Sequence, residues 1–123
     1  MTDDEKLPAW CSGEGWCPLT ATAGMISKKW HPVIIHRLLD DGDKGFNDLK
    51  KEVSGISSKV LSESLDDLED KGIVERTVIS EKPFRVKYAL TERGEGLEPA
   101  INEMIKWGRE NMKEASSEEE SIV

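Results

Sequence analysis

The sequence predicts an α+β chain that is mostly helical: a helix-turn-helix, a two-stranded β-hairpin directly after it, and terminal helices. Three observations predict this. Residues 47–71 contain two helical patterns separated by the tight turn Ser54-Gly55-Ile56. Two β-like runs follow, Ile73 to Ile79 and Arg85 to Leu90, and the second alternates apolar with basic residues. A broad apolar face at helical spacing then runs through Leu97, Ala100, Ile101, Met104, Ile105 and Trp107. With 123 residues, 37% hydrophobic and 34% charged, the chain has the size of one domain and enough apolar side chains for a core of its own.

The elements can be justified in order. Residues 1–15 read as an acidic, mobile arm containing Pro8, Gly13 and Gly15. Residues 18–27 read as a short helix opened by Pro18, which suits a first turn. Lys29 to about Leu39 reads as a buried helix with Trp30, Val33, Ile34, Ile35 and Leu38 inward, and Pro32 falls in its tolerant first turn. Asp40-Asp41-Gly42-Asp43 stops it. A third helix is expected from Asn47, as N-cap, to Val53. Ser57 caps the next, Ser58 to Lys71, whose apolar stripe is Val60, Leu61, Leu65 and Leu68 and whose end is Gly72. Ser80-Glu81-Lys82-Pro83 makes the hairpin tip. Thr91 to about Lys113 is expected as a single helix, and residues 114–123 as an acidic tail, so that residues 16–113 form the folded domain.

Charge is unevenly placed. The net −8 divides into −3 in residues 1–14, −3 in residues 113–123 and only −2 between them. Net charge bears on solubility and steering, and a local basic patch can outweigh it. Residues 76–87 hold Arg76, Lys82, Arg85 and Lys87 against Glu81, a local +3. No apolar run approaches the roughly 18 residues of a membrane helix, and the acidic N-terminus is unlike a secretory signal. A cytoplasmic location is expected, where two cysteines are expected as thiols rather than as a bridge.

A capped helix behind a Gly-containing turn, followed by a basic hairpin, suits duplex DNA. A major groove about 12 Å wide admits one α-helix, and a hairpin can reach the adjacent backbone or minor groove. Ser57, Ser58, Lys59 and Ser62 stand at the helix start and off its apolar stripe, where hydroxyl, amide and ammonium donors meet phosphates and base edges. Asn47 and Glu63 complete the candidate set on the two helices, and Lys82, Arg85 and Lys87 supply phosphate-neutralising charge from the hairpin. The terminal stripe of Leu97, Ile101, Met104, Ile105 and Trp107 is either intramolecular core or a dimer seam, and the seam is the favoured reading, since so broad an apolar face on a terminal helix needs a partner.

Other chemistry finds little footing. There is no G-x-S-x-G, no phosphate-cradling glycine loop and no H-E-x-x-H, so no enzyme is expected. Cys11 and Cys17 lack a second pair at zinc spacing, and no cofactor or metal is expected. His31 and His36 are five apart on one helix, about 140° around its axis, so they share no face.

The ordered fragments Cys17-Pro18, Ile26-Ser27-Lys28-Lys29-Trp30, Phe46-Asn47-Asp48-Leu49, Gly55-Ile56-Ser57, Gly72-Ile73-Val74-Glu75-Arg76-Thr77 and Leu90-Thr91-Glu92 resemble HxlR-type winged-helix transcriptional regulators. The resemblance runs from about Cys17 to Trp107. It implies a homodimer built largely from terminal helices and binding an operator, with Ser57 to Glu63 in the recognition helix and Lys82 to Lys87 in the wing, and the two-fold symmetry of such a dimer predicts a near-palindromic site. It also makes Cys17 a redox candidate, since it matches the N-terminal cysteine that some members use to sense oxidants or electrophiles, although a cysteine there can simply pack near Trp16; a small-molecule or oxidant effector belongs to the same reading. Glu63 and Asp66 depart from the pattern: residues 57–71 carry two bases and five acids. Two rival readings stand beside a dimeric DNA-binding regulator. One is a winged helix that binds protein without DNA, and the other is a thiol sensor switched at Cys17.

Overall fold

The computed structural model describes residues 17–112; the N-terminal arm with Cys11, and the acidic tail, lie outside the described residues. Helix α1 is Pro18–Ile26 and α2 is His31–Asp41, each with proline in its first turn, where a missing N–H costs nothing. A two-residue strand β1, Lys44–Gly45, leads into α3, Phe46–Glu52. Helix α4, Ser58–Asp70, is followed by strands β2, Val74–Glu81, and β3, Phe84–Leu90. A four-residue helix α5, Glu92–Glu95, and the longer α6, Glu98–Asn111, complete the order.

One core joins these elements. Ile34, Ile35 and Leu38 of α2 pack with Leu49 of α3, Leu61, Leu65 and Leu68 of α4, Tyr88 of β3 and Ile101 of α6. The amphipathic stripe of α4 thus buries one face and leaves the other to solvent. Val33 departs from its expected inward place: it is 39% exposed, because the buried sector of α2 centres on Ile34, Ile35 and Leu38 and Val33 lies at its edge beside α6.

The helix-turn-helix is set by its turn. Gly55 adopts φ +90°, a left-handed conformation that L side chains rarely take, and Ile56 anchors the turn in the core. Ser57 caps α4 as expected, its Oγ accepting from Val60 N at 3.1 Å.

The sheet is three-stranded, in the order β1-β3-β2, and antiparallel throughout. Its third strand has no counterpart in the two strands that the sequence predicts. Lys44 pairs with Tyr88 and Gly45 with Lys87, and this pairing fixes the backbone so that α3 starts at Phe46 with Gly45 as N-cap. Asn47 is therefore the second residue of α3 rather than its cap. Lys44 Nζ ties the same corner together by donating to Glu52 Oε2 at 2.7 Å, and Asp41 Oδ2 lies 3.4 Å away.

The expected long terminal helix is broken. Thr91 caps α5, its Oγ1 accepting from Gly94 N at 3.0 Å, and the chain turns at Gly96-Leu97 before α6 begins. Pro99, in the first turn of α6, has no N–H to offer a preceding helical turn, so a helix cannot run continuously through it without a kink. The hairpin tip is shorter than expected: Ser80 and Glu81 belong to β2, leaving Lys82-Pro83 as the turn.

Candidate nucleic-acid interface

Helix α4 turns about 100° per residue, so Leu61, Leu65 and Leu68 fix which side chains face outward. Lys59, Glu63, Asp66 and Asp70 lie opposite the buried stripe, with Ser58 and Ser62 flanking them, and all six are exposed. The structure therefore brings Ser58, Lys59, Ser62 and Glu63 onto one surface at the start of the helix. Ser57 sits at its edge with its hydroxyl oxygen engaged by the cap. Asn47 is exposed on α3, outside that helix surface.

The acids of α4 fall into two groups. Asp67 is drawn inward: Lys71 Nζ donates to its Oδ2 at 2.9 Å, Lys28 Nζ is 3.8 Å away and His31 Nε2 3.3 Å away. The Lys71 hydrogen bond, with the nearby positive charges, holds the Asp67 carboxyl below the usual carboxylate range. Lys71 Nζ also donates to Gly24 O at 2.9 Å, linking the end of α4 to α1. Glu63, Asp66 and Asp70 are exposed on the outward side. Asp66 and Glu69 lie near Tyr88, whose hydroxyl is raised above its ordinary value chiefly by burial, with Arg76 acting in the opposite direction.

The wing carries the positive charge. Lys82, Arg85 and Lys87 are exposed, Arg85 opposite Ser80 and Lys87 opposite Thr77, and the alternation of β3 puts the Arg85 and Lys87 side chains on one face. The other face holds Leu90, Tyr88, Val86 and Phe84. Sequence reasoning begins this strand at Arg85 and so misses Phe84, which is 63% exposed at the tip. The signal is present in the alternation, continued by one more step.

The terminal apolar set splits. Ile101 is 2% exposed and belongs to the core of the single chain, whereas Met104 and Trp107 lie on the surface, Trp107 at 61%. Leu97 and Ile105 pack partly buried against the core. Pro32, Val33, His36, Ile101, Met104 and Ile105 line an apolar groove between α2 and α6. Cys17 is buried at the N-cap of α1 and is disulfide-bonded, which departs from the expected free thiol. Compartment sets the odds for thiols, but sulfur-to-sulfur proximity decides a particular pair. Among the described residues no group of three His, Cys, Asp or Glu side chains is placed to hold a metal ion, and no helix is long and apolar enough to cross a membrane.

A capped, solvent-facing helix behind a tight turn, beside a basic antiparallel hairpin, defines a winged helix-turn-helix protein. Residues 25–116 match the family described as HxlR-like helix-turn-helix, and the chain belongs to that family and is a transcriptional regulator. It is 41% identical over 96 residues to the HTH-type transcriptional regulator YodB of Bacillus subtilis, covering 77% of this chain and 85% of that one. It is 39% identical over 95 residues to the regulator YvaP of the same organism, covering 76% and 87%. Among solved structures, the redox regulator HypR in its reduced form superposes with a TM-score of 0.72 at 36% identity, over 76% of this chain and 92% of that one. The reduced form of YodB superposes at 0.68 with 37% identity, over 83% and 100%.

Proposed function

We propose that the chain acts as a homodimer on a near-palindromic duplex operator, each α4 entering a major groove and each wing holding the flanking backbone or minor groove. The observation that carries this reading is the joint exposure of Ser58, Lys59 and Ser62 on the first turns of a capped helix, with Lys82, Arg85 and Lys87 exposed on the hairpin that packs beside it. Exposed Met104, which lines the α2–α6 groove, and exposed Trp107 on the same helix supply the apolar seam for the second copy. Two-fold symmetry then places half-sites about one turn, roughly 34 Å, or a multiple apart.

Fluorescence anisotropy with duplex DNA from upstream of its own gene, against an unrelated duplex at low and moderate salt, tests the reading. Tighter binding to its own DNA that survives added salt supports it. Lys59→Ala weakens that specific binding. Arg85→Ala and Lys87→Ala weaken binding to both duplexes and flatten the salt dependence by about one unit of slope per lost phosphate contact. No binding at low salt, with a protein partner co-purifying, overturns it in favour of a protein-interaction module, for which the acidic outward face of α4 is the motive.

A second reading, a thiol switch, has a specific observation behind it: Cys17 is disulfide-bonded at the head of α1, and α1 is tied to α4 through Lys71 and Gly24. The similarity to the redox regulator HypR, in both its reduced and its oxidised form, fits this reading. Under it, reductant changes DNA affinity and Cys17→Ser abolishes the change; an unchanged response in the serine variant rejects it.

A further inference from the structure

Single apolar side chains on a surface are ordinary, but the outer end of this wing exposes three together: Val78, Ile79 and Phe84. Val78, opposite Val86, and Phe84 are the outward continuation of a buried face, and Ile79 lies in the register irregularity between Val78 and Ser80. Along β3 the same face runs from Tyr88, which is 7% exposed, through half-buried Val86 to Phe84 at 63%. Phe84 stands four residues beyond Tyr88, about 13 Å farther out along the strand. The core cannot account for an aromatic ring at that distance.

Its surroundings select the occupant. Residues 81–87 carry Lys82, Arg85 and Lys87 against Glu81, a local +2; Arg85 and Lys87 project from the face opposite the ring, and Glu81 pairs with Phe84 across the strands, so the ring's face is flanked by a net positive hairpin tip. A surface complementary to both features needs an apolar strip edged by negative charge. The minor groove of a duplex has that make-up: sugar edges along its walls, phosphates at its rims and a width of about 6 Å that admits side chains of a hairpin tip.

We propose that Phe84 enters the minor groove as an apolar contact, while Lys82, Arg85 and Lys87 hold the rims. The proposal rests on the DNA-binding reading above and adds a contact that is not electrostatic. Because the exocyclic amino group of guanine stands on the floor of the minor groove, the ring favours sequences that lack it.

The test uses the full chain and two alternating duplexes, guanine–cytosine and inosine–cytosine. These present the same major-groove edge and differ in the minor-groove amino group. The wild-type chain binds the inosine duplex more tightly. Phe84→Ala loses about tenfold on it, and the preference collapses, while the salt slope stays at the wild-type value because no phosphate contact is lost. Lys82→Ala does the reverse, lowering the slope by about one unit and keeping the preference. Phe84 is exposed, so an unchanged melting temperature confirms the fold of the variant. A Phe84→Ala chain that keeps wild-type affinity and preference overturns the proposal and leaves the DNA-binding reading intact. So does one that changes only the oligomeric state in light scattering, which would assign the ring to a second copy. Failure of the wild-type chain to bind either duplex or its own upstream DNA removes both.

Discussion

His31 Nε2 stands 3.3 Å from Asp67 Oδ2, with the imidazole wholly buried between the start of α2 and the middle of α4. Its Nδ1 donates to Met25 O at 3.4 Å, so the neutral ring carries its proton there, and Nε2 makes no hydrogen bond. Burial is the main cause that lowers the His31 pKa below 6.5, assisted by Lys71 and Lys28 and opposed by the Met25 carbonyl and Asp67. The helix that faces solvent with Lys59 and Ser62 is thus seated on a neutral histidine.

Stability follows from that seat. A histidine with a depressed folded pKa binds fewer protons in the native state than in the unfolded one. Its contribution is complete above 6.5 and declines as pH falls below that value toward the folded pKa. Asp67, also lowered, contributes above 3.8 and loses its contribution only below it, so the two windows are separate. The melting temperature should fall between pH 7 and pH 5, and His31→Gln should flatten that segment while lowering stability overall. A wild-type curve that stays level across this range excludes His31 as the titrating group.

Gly94 is required by close approach. A Cβ there would lie 2.3 Å from Ile73 O, a backbone atom that cannot rotate away. Gly94→Ala should cost about 1–3 kcal/mol, the range of core overpacking. Gly24, inside α1, is the natural control, because a Cβ added there would meet nothing within 4 Å. Gly24→Ala should gain about 0.5–1 kcal/mol from helix propensity. Denaturant midpoints of opposite sign check both statements.

Thr91 joins the wing to the terminal helices. Its hydroxyl donates to Gly72 O at 2.6 Å while accepting from Gly94 N at 3.0 Å, so one side chain serves both the exit of α4 and the cap of α5. Thr91→Val keeps the shape and removes both bonds, and should cost about 1–2 kcal/mol. Thr91→Ser should stay near wild type in thermal melts.

Why parts of this architecture are legible in the sequence, and others not, is physical. The cap at Ser57, the stripe Leu61, Leu65 and Leu68, and Gly72 after α4 are local signals, and the structure places each as expected. Strand β1 has only two residues and exists because β3 offers it partners far along the chain, Tyr88 for Lys44 and Lys87 for Gly45, which no local pattern encodes. The displaced cap at Asn47 follows from that same pairing. The break before α6 is written in Gly96 and Pro99, but the apolar periodicity continues across it and hides it. Of the candidate interface, residue types and face are readable on α4. What sequence cannot supply is which acids are neutralised by partners: Asp67 is, through Lys71 one turn on and Lys28 outside the helix.

That sorting of acids yields the sharpest test of the helix itself. Glu63 lies on the outward face with Lys59, exposed and on the side of α4 that would approach a duplex. A carboxylate there is capable of two effects of opposite sign on a bound duplex: repulsion of phosphates, and acceptance of a hydrogen bond from a cytosine amino group. Glu63→Gln removes the repulsion and should raise affinity for an unrelated duplex. If Glu63 also reads cytosine, the same variant should lose about 1–3 kcal/mol of discrimination at one operator position, seen when each base pair is substituted in turn. Asp67→Asn separates charge from position: it removes an acid from the same helix, but one already held by Lys71, so it should lower thermal stability and leave the affinity for unrelated DNA near wild type. Equal gains in affinity from both variants would show that only the net charge of α4 matters, and that its outward face carries no specific contact at Glu63.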